Sequence, residues 1–207
     1  MMQNENLHTS PVLEAIFNRR SIRRYRGEHV PREMIEEILQ AAIRAPSAHN
    51  RQPWRFVVIE SQHEKEQLAQ AMGTRLRHDL EADNVPQDVI DKDVSRSYSR
   101  ITAAPVLIIL CLSMIDMDVY PDERRNRNEY LMAVQSTAMA GQNLLLAAHA
   151  TGLASCWMCA PLFVPDLVRE RLALPEDWQP QALITLGYPA ENRSKPRHNL
   201  ERSVIWR

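Results

Sequence analysis

Arg19-Arg20-Ser21-Ile22-Arg23 gathers three guanidinium groups and one hydroxyl within five consecutive positions near the N-terminus. Arginine presents a planar fork of donors that matches phosphate oxygens, and a hydroxyl or free backbone N–H can complete the cradle. A basic turn of this kind is, on its own, most simply a solvated surface. Its weight comes from a second stretch one helix later, Ala45-Pro46-Ser47-Ala48-His49-Asn50-Arg51-Gln52-Pro53-Trp54. Together the two read as parts of one site for a phosphorylated small ligand.

The flanking chain frames that site. Ser10 and Pro11 read as N-cap and first position of a helix to Arg19, with Val12, Leu13, Ile16 and Phe17 at helical spacing. The arginine cluster therefore falls at a helix C-terminus, where the dipole disfavours an anion, so side chains must do the binding. Pro31 to Arg44 is a second amphipathic helix, with Met34, Ile35, Ile38, Leu39 and Ala42 on one face and Glu33, Glu36 and Glu37 on the other. Arg55 to Ile59 reads as a strand, Ser61 to Leu80 as a polar helix, and Asp83 to Asp93 as a charged loop before a helix resumes towards Arg100. The unbroken apolar run Val106 to Leu112 is expected to be a buried central strand. After a polar connection from Asp116 to Asn126, a long helix from about Asn128 to Ala150 ends at Thr151-Gly152. Its apolar part from Tyr130 is long enough to suggest a membrane span, but Gln135, Ser136, Thr137, Gln142, Asn143 and His149 favour burial in protein. Leu153 to Met158 and Gln181 to Gly187 read as strands around a helix from Val164 to Leu172. Strands are too irregularly spaced for a βαβ series, so the fold class is α+β: a central mixed sheet flanked by helices, in a single domain over residues 1–207.

Composition narrows the function. A net charge of -1 in 207 residues argues against a polymer-wide basic surface, so phosphate recognition should be local and the ligand small. Met1 to Ser10 has neither a basic nor an apolar signal segment and reads as a flexible arm. Three cysteines fit a reducing cytoplasm better than a disulfide scaffold. With five glycines and no G-x-G-x-x-G, neither a dinucleotide fingerprint nor a P-loop is present. There is no G-x-S-x-G elbow and no H-E-x-x-H pair, so a serine or zinc hydrolase is not indicated and no metal is expected. Cys156-Trp157-Met158-Cys159 is a C-x-x-C, but it lies late in the chain after a strand and directly before Pro161, unlike a thioredoxin motif that opens a helix early.

The arginine cluster, the Pro-Ser-x-x-Asn-x-Gln-Pro-Trp stretch and a basic pair near the C-terminus, Lys195 and Arg197, together resemble the nitroreductase family of FMN-dependent oxidoreductases, in the right order over nearly the whole chain. The resemblance implies an intertwined homodimer with two flavins at the subunit interface. It assigns the FMN phosphate to Arg19, Arg20, Ser21 and Arg23 with Lys195 and Arg197 returning to it. It places Pro46, Ser47, Ala48 and Asn50 beside the flavin held mainly by the partner. Asn50 suits the polar edge of the ring, Trp157 or Met158 its apolar wall, and a backbone N–H of Cys159 or Ala160 its N5 or O4, where many members carry Glu-Gly. No catalytic side chain is required, because N5 of the flavin carries the hydride. His49, Arg51, Tyr120 and Arg124 are candidates for the substrate mouth. Trp54 reads as a core anchor, and Trp206 as packing across a dimer seam.

The implied activity is transfer of hydride from NADH or NADPH to an electron-poor acceptor such as a nitroaromatic or quinone. A narrower likeness, through Gly152 to Trp157, Leu174-Pro175-Glu176-Asp177-Trp178 and Leu186-Gly187-Tyr188-Pro189, is to the flavin domain fused to the glutamate ligase of deazaflavin-coenzyme biosynthesis. It keeps open a reductase acting on a precursor of that coenzyme. A non-catalytic flavin or deazaflavin binder and a flavin-destroying enzyme of the same fold are the other readings.

Overall fold

The computed structural model describes residues 10–207; residues 1–9, nearly all of the expected arm, lie outside the described residues. In chain order the elements are helices α1 (Pro11–Asn18) and α2 (Arg32–Ala42), strand β1 (Trp54–Ile59), helices α3 (Gln62–Ala82) and α4 (Gln87–Thr102), strand β2 (Val106–Leu112), helix α5 (Glu123–Ala150), strand β3 (Ala154–Met158), helix α6 (Pro165–Arg171) and strand β4 (Gln179–Gly187). Three short 3₁₀ turns join them at Ala48–Asn50, Ala160–Phe163 and Leu200–Arg202.

Two expectations fail for local reasons. The charged stretch from Asp83 is helical from Gln87, after Pro86 at the N-cap, because Ile90 and Ile101 fall on one face and are buried. Its charges instead point to water in pairs such as Arg77–Asp91 and Arg96–Asp93. The long helix starts at Glu123 rather than near Asn128, because the Asp122 carboxylate accepts the backbone N–H of Arg125 at 3.0 Å and so caps it. Ser10 does occupy the N-cap of α1, yet its hydroxyl makes no cap bond. Among the described residues no helix is long and apolar enough to cross a membrane.

The sheet runs β1-β2-β4-β3, so the apolar run 106–112 is central, and all its residues are buried. All three strand pairings are antiparallel. The expected mixed sheet is thus corrected: parallel pairing is confined to a single bridge between Ser21 and Ser155. The register shifts between Leu110 and Cys111, opposite Pro180, which has no N–H to give to a ladder. Side chains of β2 alternate between two helical layers. Val106 and Ile108 meet Ile35, Ile38, Leu144 and Ala148 of α2 and α5. Leu107, Ile109 and Cys111 meet Leu68, Met72, Ile101 and Val168 of α3, α4 and α6. Trp54, 5% exposed, anchors the entrance of β1 as expected.

Two buried features hold the layers in place. Lys65 of α3 is 4% exposed and donates to the carbonyls of Ala104 and Pro105 at 2.8 and 3.0 Å, tying α3 to the entry of β2. Gly141 lets α5 approach β3: a Cβ there would lie 2.2 Å from Trp157 Cζ3 and 2.9 Å from Leu110 Cδ2. Overpacking a core costs about 1–3 kcal/mol, more than the helix-propensity gain of about 1 kcal/mol from replacing glycine by alanine. Gly141→Ala is therefore expected to lower the midpoint of urea denaturation; an unchanged or raised midpoint would show that Trp157 can yield without cost.

Candidate active site

The segment from Ser21 to Arg26 crosses the ends of β3 and β4 as a partial extra strand. Ile22 N–H donates to Ser155 O at 3.2 Å, Arg26 N–H to Tyr188 O at 2.9 Å, and Ala190 N–H to Arg24 O at 3.0 Å. Tyr25 locks it: its phenol oxygen lies 2.6 Å from Ile22 O, to which it donates, and 2.6 Å from Thr185 Oγ1 in a hydroxyl–hydroxyl hydrogen bond. Burial pushes the Tyr25 phenol well above its ordinary range, so this lock stays neutral across physiological pH. The arginines that follow α1 are thereby fixed against the sheet rather than left on a loose turn.

Two clefts flank this segment. One, of about 530 Å³, is lined by Arg19, Arg20, Ile22, His149, Ser155 and Glu191 among others. The other, of about 580 Å³, is lined by Arg23, Arg24, Arg96, Arg100 and Arg193 with Tyr25 and Ser99. Their electrostatics are continuous. Burial lowers the Arg19 pKa, and the nearby charges of Arg197 and Arg20 lower it further. Burial does the same to Arg100, reinforced by Arg23, Arg96 and Arg193. Burial also lowers His149, again with Arg19 and Arg20 contributing, which keeps its imidazole neutral near pH 7. Glu191 is the carboxylate within this set: it pairs with Arg193 at 3.0 Å and Arg24 at 3.9 Å and accepts the Arg23 N–H. Arg19, Arg23, Arg100 and Arg197 form no ion pair among the described residues. Partly desolvated like charges with so few carboxylates are stabilised by a bound anion, and a phosphate dianion is the natural match.

The sequence candidates separate on this geometry. Arg19, Ser21 and Arg23 lie along the crossing segment, and Arg197 returns from the C-terminal end to within electrostatic reach of Arg19. Arg20 is turned back, with Nη1 donating to the carbonyls of Phe17 and Arg19 at 2.6 and 2.8 Å, so it caps the C-terminus of α1. Lys195 is exposed and no hydrogen bond or ion pair among the described residues joins it to the cluster. Arg100 and Arg193 were missed: Arg100 sits in a helix remote in sequence, and no motif marks either.

The Pro46–Asn50 stretch lies elsewhere, on α5. Ala48 N–H donates to Ser136 Oγ at 3.2 Å, and Ser47 Oγ accepts the Gln52 N–H at 3.1 Å. Asn50 Oδ1 accepts from Gln52 Nε2 at 3.4 Å, and Arg51 pairs with Asp118. His49, Asn50 and Gln52 all adopt left-handed backbone, with φ of 50°, 55° and 50°. No hydrogen bond or ion pair among the described residues joins this stretch to the arginines. Tyr120 is half-buried and stacks with Arg125, 4.7 Å from its ring centroid, while Arg124 is exposed.

Strand alternation puts Trp157 and Met158 on opposite faces of the sheet: Trp157 packs towards α2 and α5, Met158 towards α3, α4 and α6. Ala160 begins the 3₁₀ turn that leaves β3. The cysteines of the C-x-x-C diverge, with Cys156 buried and Cys159 exposed. Burial raises the Cys156 pKa despite Arg23, Arg100, Arg19 and Arg193, and burial pushes Cys111 up to about 12. Trp157 Nε1 donates to Cys159 Sγ at 3.2 Å.

Comparison with known proteins decides the family. The nitroreductase family model matches residues 16–188. The chain belongs to the nitroreductase family. It is 35% identical to an NADH dehydrogenase of Thermus thermophilus, over 96% of this chain and 98% of that one. It is 34% identical to a Methanothermobacter thermautotrophicus protein assigned as an NADH dehydrogenase or NAD(P)H nitroreductase, over 87% of this chain and 78% of that one. A Desulfovibrio desulfuricans protein assigned as a nitroreductase, solved in complex with FMN, superposes with a TM-score of 0.74 at 30% identity, covering 96% and 97% of the two chains. The expected α+β nitroreductase-like fold, the enzyme class of FMN-dependent NAD(P)H oxidoreductase and the cofactor FMN agree with these findings.

The burial pattern makes a thiol prediction. Thiol-specific labelling of the native protein at pH 8 is expected to modify Cys159 alone of the three cysteines, with Cys111 and Cys156 reacting only after denaturation. Fast joint loss of the Cys156 and Cys159 thiols under mild oxidation would instead reveal a redox pair.

Proposed function

We propose that this protein is a cytoplasmic homodimeric flavoenzyme in which Arg19, Ser21, Arg23 and Arg197, with Arg100 and Arg193, hold the FMN phosphate. The observation that carries this reading is the set of partly desolvated arginines around the Ser21–Arg26 segment with few carboxylates among them. The FMN complex of the Desulfovibrio relative supports the same ligand. Bound flavin would supply hydride acceptance and donation at N5, first from NADH or NADPH and then towards an electron-poor acceptor such as a nitroaromatic or quinone. The chain's own work is to bind, orient and exclude water. No hydrogen bond among the described residues engages the backbone N–H groups of Cys159 and Ala160 at the exit of β3.

The dimer is supported by α1. None of its residues is buried, and Val12 and Ile16 are 64 and 47% exposed, an apolar helix face that the described residues leave largely open to water. Leu131 and Met139 of α5 and Trp206 in the tail are exposed as well. A partner subunit covering these surfaces would bring its own Pro46–Asn50 stretch towards the arginine clefts, which explains why the two sequence signals are separate within one chain.

Each hydrogen bond to a charged group contributes about 1.5–3 kcal/mol, so Arg19→Ala with Arg23→Ala should weaken FMN binding by roughly two orders of magnitude or more. Flavin absorbance after gel filtration measures this, with circular dichroism confirming an intact fold. Unchanged flavin content would place the phosphate elsewhere. Anaerobic mixing of the flavin-loaded protein with NADH and NADPH in parallel should bleach the flavin; failure with both would rule out the nicotinamide-dependent reading.

A further inference from the structure

Within one chain, a further group of side chains between the 46–50 stretch and α5 has no hydrogen bond or ion pair to the arginine clefts among the described residues. His49, Asp118 and Glu129 each present a donor atom within 4.8 Å of the other two. Glu129, on the first turns of α5, is only 2% exposed, and its Oε2 has no hydrogen-bond partner among the described residues. A buried carboxylate left without a partner is costly, and it is stabilised by a proton or a cation. The Arg51 guanidinium, in the same stretch as His49, is engaged by Asp118. His49 reaches the carboxylates from a turn in which it, Asn50 and Gln52 all adopt left-handed backbone.

We propose that His49, Asp118 and Glu129 form a binding site for a divalent transition-metal ion such as Zn²⁺. One imidazole nitrogen with two carboxylate oxygens is a borderline donor set that suits zinc and its first-row neighbours and leaves a coordination position for water. Ligand atoms on one such ion lie about 3–3.5 Å apart, given metal–ligand distances of about 2.0–2.2 Å. Arg51, on Asp118, orients that carboxylate from the outer shell. The ion ties the 47–52 stretch to α5, adding to the hydrogen bonds that Ser136, Asp118 and Arg55 make to it. The three ligands come from a 3₁₀ turn, a connection and a helix, so no compact sequence spacing announces them.

The proposal does not depend on flavin, and its test reads metal directly. Flavin-loaded protein is stripped with EDTA, dialysed and titrated calorimetrically with Zn²⁺, with flavin content measured in parallel. One Zn²⁺ per chain is expected. Glu129→Gln and His49→Gly should each weaken it at least about 10-fold, the scale seen for loss of even supporting groups around a metal. Glycine suits the positive φ at position 49, so that variant relieves strain and keeps the fold even if Glu129→Gln does not. Cys159→Ser should leave binding unchanged. Absence of stoichiometric binding, binding that survives His49→Gly, or binding lost in Cys159→Ser would each overturn the site.

Discussion

The burial of β2 on both faces is the constraint from which the rest follows. Every residue from Val106 to Leu112 is out of water, so the strand needs a partner on each edge and an apolar layer on each face. Antiparallel β1 and β4 supply the edges. Alternation then fixes which helices serve which layer, α2 and α5 on one side and α3, α4 and α6 on the other. Fully burying an aliphatic side chain contributes about 1.5–3 kcal/mol, so this one strand carries a large share of the stability. Pro180 is tolerated opposite Cys111 because the register shift there removes the need for its N–H.

β4, paired to β2, positions the functional surface. Thr185 on that strand receives the Tyr25 phenol, and Tyr25 in turn presses the arginine segment across the ends of β3 and β4. On the proposed function, stability and ligand binding thus share one neutral hydrogen bond. Arginines that would repel one another in a loose turn are held close by backbone bonds and a buried phenol. The electrostatic strain is relieved locally by Glu191 and, on the functional reading, by the ligand. A chain with almost no net charge can keep a local cluster of arginines in this way.

Burial likewise separates residues that adjacency in sequence groups together. Arg20 belongs to the same five-residue cluster as Arg19, yet its guanidinium caps α1 because the last carbonyls of that helix are the nearest acceptors. Cys156 and Cys159 share a motif, but one lies inside a strand and the other on the turn after it. Trp157 and Met158 are neighbours on opposite faces. In each case local geometry assigns neighbouring side chains to different environments.

Much of the fold was legible in the chain: the continuous apolar run of β2, the helical spacing of α2 and the glycine stop after α5 are local patterns with local physical causes. So was the family, because the arginine cluster and the Pro-Ser stretch are each contiguous in sequence. α4 was obscured because its buried residues are few among charges that pair in water. Arg100 and Arg193 joining Arg23, Arg197 reaching Arg19, and the unpartnered Glu129 beside His49 could come only from the tertiary structure. Each depends on packing that brings together residues tens of positions apart, and desolvation and mutual charge, which give those groups their chemistry, exist only once the chain has folded around them.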